Sequence, residues 1–163
     1  FPTRRSSDLG RAVPPSGRAE TNACDALGRT IAFTNVENRV YRMGYDAQGR
    51  LLAATNALGE QVVRNLYDFC GNLTNRVDSA GRAIRYRYDA LNRATNTVYA
   101  DGSHEAFTYD GAGNLLTAGN GSATNSFAYD AMNRLTSSVS RVSGQAFAVR
   151  YGYDLGGLAT NVV

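Results

Sequence analysis

The sequence predicts an all-β chain of tandem antiparallel hairpins, each about 21 residues long, and three observations carry that prediction. First, a Tyr-Asp pair returns at Tyr45-Asp46, Tyr67-Asp68, Tyr88-Asp89, Tyr109-Asp110, Tyr129-Asp130 and Tyr153-Asp154, with Cys24-Asp25 as an earlier copy. From Asp25 onward the Asp-to-Asp steps are 21, 22, 21, 21, 20 and 24 residues. Second, the third residue after each Asp is Gly28, Gly49, Gly71, Asn92, Gly113, Asn133 or Gly157, never a β-branched one. Third, apolar and polar residues alternate just before the pair.

The alternation defines the first strand of each unit. In Ile84-Arg85-Tyr86-Arg87-Tyr88 it puts Ile84, Tyr86 and Tyr88 on one face of an extended segment. Met43/Tyr45, Phe107/Tyr109, Phe127/Tyr129 and Tyr151/Tyr153 repeat the spacing, and only Asn65/Tyr67 breaks it. The turn that follows has a mechanism. An Asp carboxylate accepts hydrogen bonds from backbone N–H groups two or three residues on. The Gly or Asn takes the left-handed conformation, which costs other L-residues about 1–2 kcal/mol. A second strand follows, as in residues 94–99. After it comes a turn of variable sequence: Glu37-Asn38, Ala57-Leu58-Gly59, Ser79-Ala80-Gly81, Asp101-Gly102, Asn120-Gly121 or Ser143-Gly144. Each unit is therefore strand, tight turn, strand, looser turn.

A lone hairpin is marginal in water, so the units must hold one another. The regular Tyr ladder is the obvious device, since cross-strand aromatic pairs contribute about 0.2–1 kcal/mol each. A buried Tyr hydroxyl needs a partner, and the neighbouring Asp and Arg side chains are the candidates. On this placement Tyr88→Ala destabilises more than Tyr99→Ala, and Gly113→Val more than Gly102→Val.

Three segments divide the 163 residues. Phe1–Leu9 can be encoded by the end of a common sequencing-library adapter and is read as an assembly artefact, outside fold and function. Residues 10–21, with Pro14 and Pro15, form a linker or degraded repeat. Residues 22–163 form the array of about seven copies, the last truncated. The whole is expected to be a fragment of a larger protein.

Composition excludes several function classes. Charged residues are 19% and hydrophobic ones 43%, so the array is neither disordered nor a run of membrane helices. The formal charge of +3 falls to +2 once Arg4, Arg5 and Asp8 are set aside. Every cation is Arg, spread through the repeats at what read as solvated strand positions, whereas nucleic-acid binding calls for a concentrated basic face. Nucleic acid is therefore not an expected partner. Cys24 and Cys70 occupy different repeat positions and read as two unpaired thiols.

Catalytic chemistry finds no footing either. A catalytic carboxylate pair is one site, whereas Asp recurs seven times beside Gly or Asn, the pattern of a turn cap. The spacing lacks the Asp/Asn ladder of calcium loops. His104 is the only His and reads as an exposed turn residue, so neither a metal centre nor an activated nucleophile is supported. No cofactor is expected. The recurring Thr-Asn pairs, such as Thr34-Asn35, Thr55-Asn56 and Thr74-Asn75, read either as a cross-strand hydrogen-bond ladder or as drift.

The repeated Tyr-Asp-x-x-Gly/Asn-Arg/Asn resembles the YD-repeat family, also called Rhs repeats. It is carried by Tyr45-Asp46-Ala47-Gln48-Gly49-Arg50, Tyr67-Asp68-Phe69-Cys70-Gly71-Asn72, Tyr88-Asp89-Ala90-Leu91-Asn92-Arg93, Tyr109-Asp110-Gly111-Ala112-Gly113-Asn114 and Tyr129-Asp130-Ala131-Met132-Asn133-Arg134. Cys24 and Leu158 depart from it. The resemblance implies a spiralling, shell-like sheet that encloses a C-terminal cargo or toxin domain, in a protein that is secreted or displayed at the cell surface. The partner is then the rest of the same polypeptide. The alternative is an extracellular module binding carbohydrate or a cell-surface protein. A β-propeller with four-stranded blades of about 42 residues requires alternate repeats to resemble each other, and no such alternation exists.

Overall fold

The structure is a computed structural model that describes residues 19–162, so Phe1–Leu9 and most of the 10–21 linker lie outside the described residues. Those residues carry fourteen strands and no helix. In order they are β1 (Thr21–Cys24), β2 (Thr30–Thr34), β3 (Val40–Tyr45), β4 (Leu51–Thr55), β5 (Gln61–Tyr67), β6 (Leu73–Asp78) and β7 (Ala83–Tyr88). Then follow β8 (Ala94–Val98), β9 (His104–Tyr109), β10 (Leu115–Gly119), β11 (Ala123–Tyr129), β12 (Leu135–Val142), β13 (Gln145–Tyr153) and β14 (Ala159–Val162). The predicted fold class, all-β tandem antiparallel hairpins, is the one observed.

The chain divides into two compact units. Residues up to 66 with 76–82 form one, and 67–75 with 83 onward form the other. In the first, β1 to β5 pair antiparallel in chain order. In the second, β7 to β14 do the same. Sequential pairing follows from the short turns, which leave no length for a crossover.

Strands β3, β7, β9, β11 and β13, which end on the repeated Tyr, each carry a β-bulge there. Tyr88 pairs with Ala94 while Arg87 pairs with Asn96, so one residue of β8 is skipped. The same irregularity sits at Tyr45/Leu51, Tyr109/Leu115, Tyr129/Leu135 and Tyr153/Ala159. A bulge strengthens local twist and re-aims the side chain beside it.

The predicted alternation is visible in exposure. Ile84, Tyr86 and Tyr88 are half-buried while Arg85 and Arg87 are exposed. Yet no hydrophobic side chain among the described residues is fully buried, and the buried class holds only Asn65 and Thr97. Each unit is held strand to strand rather than around a core. Large apolar side chains stand exposed at turn tips, among them Leu27, Leu58, Phe69, Leu91, Met132 and Leu155.

Candidate functional site: the joint between repeats

The tight turn is built by its Asp. In Asp89–Arg93, the Asp89 N–H donates to the Arg93 carbonyl and the Asn92 N–H to the Asp89 carbonyl, both at 3.0 Å. Asp89 Oδ1 accepts from the backbone N–H of Leu91 (2.9 Å) and of Arg93 (3.0 Å). Those donors stand two and four residues on. The closing residue sits at φ +60° for Asn92 and +96° for Gly113, the left-handed region that excludes branched side chains. Asp25, Asp46, Asp110 and Asp130 repeat these backbone contacts.

Proton equilibria follow from that cage. Asp89 and Asp130 are held below the ordinary aspartate value of 3.8, chiefly by the backbone N–H of Arg93 and Arg134. Asp110 and Asp68 are also lowered, chiefly by the side-chain amides of Asn114 and Asn72. Hydrogen bonds to the ionised form favour that form. These carboxylates are fixed anions and turn caps, not proton carriers.

The sequence-variable second turn is the same object in most copies. Asn35 Oδ1 accepts from the N–H of Glu37 and Arg39, and Asn56 Oδ1 from Leu58 and Glu60. Asn38, Gly59, Gly81 and Gly102 hold φ between +62° and +84°. Thr34-Asn35 and Thr55-Asn56 therefore belong to turn caps, not to a cross-strand Thr/Asn ladder. Only Asn120–Ala123 and Ser143-Gly144 are shorter. Gly102 and Gly113 share the left-handed conformation, so the expected difference between their Val variants disappears.

Consecutive hairpins are tied by the Tyr hydroxyl. It donates not to Asp or Arg, as the sequence suggests, but to a backbone carbonyl on the neighbouring strand of the preceding hairpin. The bonds are Tyr45 to Thr30 (2.9 Å), Tyr88 to Leu73 (2.9 Å), Tyr109 to Ala94 (2.9 Å), Tyr129 to Leu115 (3.0 Å) and Tyr153 to Leu135 (2.8 Å). Each acceptor is the first residue of its strand. Burial pushes the Tyr88 hydroxyl above its ordinary pKa, as a desolvated donor requires. Asn65, which breaks the two-residue spacing before Tyr67, donates through Nδ2 to the Leu51 carbonyl at 2.9 Å, again the first residue of its strand.

Arg supplies a second tie that sequence reasoning missed. Arg93 Nε donates to Asp89 Oδ2 at 2.7 Å, its guanidinium carbon lies 4.6 Å from the Tyr109 ring centroid, and Nη1 reaches the Asp110 carbonyl at 2.9 Å. Arg29 does the same toward Tyr45 and Asp46, and Arg134 toward Tyr153 and Asp154. Their side chains are only 25–29% exposed. Arginine in this array thus has two populations: joint residues such as Arg93, and solvated strand residues such as Arg42, Arg85 and Arg87. Where position six is Asn, Asn72 donates to Asp68 Oδ2 and Asn114 to Asp110 Oδ2 instead.

His104 opens β9 rather than standing in the turn, and it is exposed. Cys24 and Cys70 are free and exposed. No group of three or more His, Cys, Asp or Glu among the described residues is arranged to hold a metal ion. The geometry has the character of a joint that binds one hairpin to the next.

Comparisons with known proteins agree with that geometry. Residues 25–61 and 71–104 match the RHS Repeat family. The chain is 34% identical to the toxin protein Tse5 of Pseudomonas aeruginosa over 93% of its own length and 12% of that protein's. It is 28% identical to double-stranded DNA deaminase toxin A of Burkholderia cenocepacia over 62% of its length and 10% of that protein's. Among solved structures it superposes on the TcdB2-TccC3-Cdc42 crystal structure with TM-score 0.72 at 17% identity, covering 89% of this chain and 9% of that one. The Photorhabdus luminescens Tc holotoxin pore gives TM-score 0.71 at the same identity and coverage. The chain therefore spans about a tenth of the length of these relatives. With the Tyr-Asp turns and their inter-hairpin ties in place, it belongs to the RHS-repeat (YD-repeat) family.

Proposed function

We propose that residues 22–163 are a non-enzymatic stretch of wall in a β-shell that encloses or carries a C-terminal cargo or toxin domain of the same, longer polypeptide, which is secreted or exposed at the cell surface. The observation that carries this reading is the way the array coheres. Within each compact unit, hairpins bond to their neighbours through Tyr hydroxyls with Arg or Asn side chains beside them, while no apolar side chain among the described residues is buried. A sheet with no core of its own suits a partition that extends by adding repeats. Relatives named as toxins, about ten times longer than this chain, support the same reading. The structural motif positions are Tyr45, Asp46, Gly49, Tyr67, Asp68, Gly71, Tyr88, Asp89, Asn92, Tyr109, Asp110, Gly113, Tyr129, Asp130, Asn133, Tyr153, Asp154 and Gly157.

A carbohydrate- or surface-binding role would need ring faces offered to a ligand. Tyr45, Tyr109 and Tyr153 instead carry an Arg guanidinium within 4.5–5.1 Å of the ring centroid. The test is to sequence the source locus on both sides, express the complete polypeptide and follow its C-terminal domain by limited proteolysis. A short non-repetitive domain that resists protease in the intact protein, and becomes sensitive when ladder tyrosines are replaced by Ala, supports the shell. An array running into a wall- or membrane-anchoring segment, or a domain cleaved equally in both forms, refutes it.

A further inference from the structure

Two kinds of joint alternate irregularly along the chain, and the residue on one side matches the residue on the other. Number the motif Tyr-Asp-x-x-Gly/Asn-Arg/Asn from one to six: within each compact unit, position six of one motif faces position five of the next. Reading down the chain, the pairs are Arg29/Gly49, Arg50/Gly71, Asn72/Asn92, Arg93/Gly113, Asn114/Asn133 and Arg134/Gly157. In sequence, Arg at position six is always followed by Gly at position five of the next motif, and Asn always by Asn.

The contacts explain the match. An Arg limb performs two tasks at once, holding its own Asp Oδ2 and reaching the Asp carbonyl of the next turn. Asn is too short for the second task. Asn114 Nδ2 donates to its own Asp110 Oδ2 at 2.8 Å and to Asn133 Oδ1 at 2.8 Å, spending one hydrogen on each. Asn72 likewise spans Asp68 Oδ2 (3.0 Å) and Asn92 Oδ1 (2.8 Å). The next repeat supplies the length that the first one lacks.

That supply has a conformational cost. Asn92 and Asn133 hold φ +60° where the other repeats use Gly, and Asn enters this region less readily than Gly does. The amide–amide bond is what makes Asn worth keeping there. On the other side, a Cβ at Gly49 would lie 3.4 Å from Arg29 Nη1 and one at Gly157 3.9 Å from Arg134 Nη1, in van der Waals contact, so the guanidinium rests over the open face of the glycine. At Gly113 no atom lies within 4 Å of that point, and there the match rests on the reach of Arg93 rather than on that contact.

We propose that positions six and five form a neighbour-matching code: a repeat ending in Arg fits a following repeat with Gly, and one ending in Asn fits a following repeat with Asn. The pair is then an interaction surface that specifies which hairpin docks on which. This inference does not depend on the cargo reading.

Double-mutant cycles on the full 163-residue chain test it. At the Asn joint the variants are Asn114→Arg, Asn133→Gly and the two together. At the Arg joint they are Arg93→Asn, Gly113→Asn and the two together. Urea midpoints followed by circular dichroism are expected to be non-additive. Each double variant should unfold at a higher urea concentration than the sum of its single shifts allows, returning toward the parent. Arg93→Asn combined with Asn133→Gly, which lie two repeats apart and share no partner, should show simple additivity. Additive shifts within either facing pair, or equal coupling in the non-facing control, overturn the code.

Discussion

Replacing Tyr88 separates the hydroxyl tie from the ring that carries it. Tyr88→Phe removes one donor, the Oη–H that meets the Leu73 carbonyl at 2.9 Å, and keeps the half-buried ring. A net intramolecular hydrogen bond is worth about 0.5–1.5 kcal/mol, and a carbonyl left without its donor pushes the loss toward the upper end. Tyr88→Ala also discards the ring. A fully buried Tyr covers about 150–250 Å². Half of that at about 25 cal/mol per Å² adds about 2–3 kcal/mol. Tyr99 is the control. Its hydroxyl meets a side chain, Glu105 Oε2, at 3.1 Å beside the β8–β9 turn, and no backbone carbonyl loses its donor when it is removed, so Tyr99→Phe should stay within about 0.5 kcal/mol.

The assay is urea denaturation of the three variants and parent at pH 7, followed by circular dichroism, with thermal melts as a second readout. For a chain of this length about 1 kcal/mol moves Tm by about 2–4 °C. In a repeat array the loss falls on one joint rather than being averaged over a core, so a lowered slope of the transition is a further expected sign. Equal shifts for Tyr88→Phe and Tyr99→Phe would refute the claim that the hydroxyl-to-carbonyl bond, rather than aromatic bulk, ties successive hairpins.

Three further outcomes follow from the turns. The lowered pKa of Asp89, Asp110 and Asp130 means that their stabilisation is complete above the ordinary value of 3.8 and is lost as pH falls through the lower folded-state values. Urea midpoints should therefore be flat from about pH 7 to 5 and fall below about pH 4, and a midpoint that rises on acidification contradicts the cage. Gly102→Val and Gly113→Val should lower stability alike, by about 1–2 kcal/mol or more, because both glycines hold the left-handed φ, and unequal melts would contradict that equivalence. Gly119→Ala should cost about 1–3 kcal/mol, since its Cβ would stand 2.7 Å from the Ala123 carbonyl at the shortened β10–β11 turn; an unchanged melt would show that this turn relaxes freely.

Much of the fold was legible because each rule acts within a few residues. Period, alternation and the Asp-x-x-Gly turn depend on side-chain direction, on one carboxylate and on one left-handed residue, and all three can be read along the chain. What could not be read were relations across the 15-residue or 17-residue gaps that separate joined groups, such as Tyr109 with Ala94 and Arg93 with Asp110. The Tyr hydroxyl offers no sequence clue to a backbone acceptor, because a carbonyl is present at every residue. Arg93 and Arg85 look alike in composition, yet one bridges two turns and the other is solvated, and only register separates them. A usable signal did exist: Arg or Asn at position six tracks Gly or Asn 19 to 23 residues later, a correlation invisible to any reading that treats each repeat alone. Repeat arrays store part of their specificity in such offsets, since a unit that buries nothing by itself can be stable only through what it presents to the next.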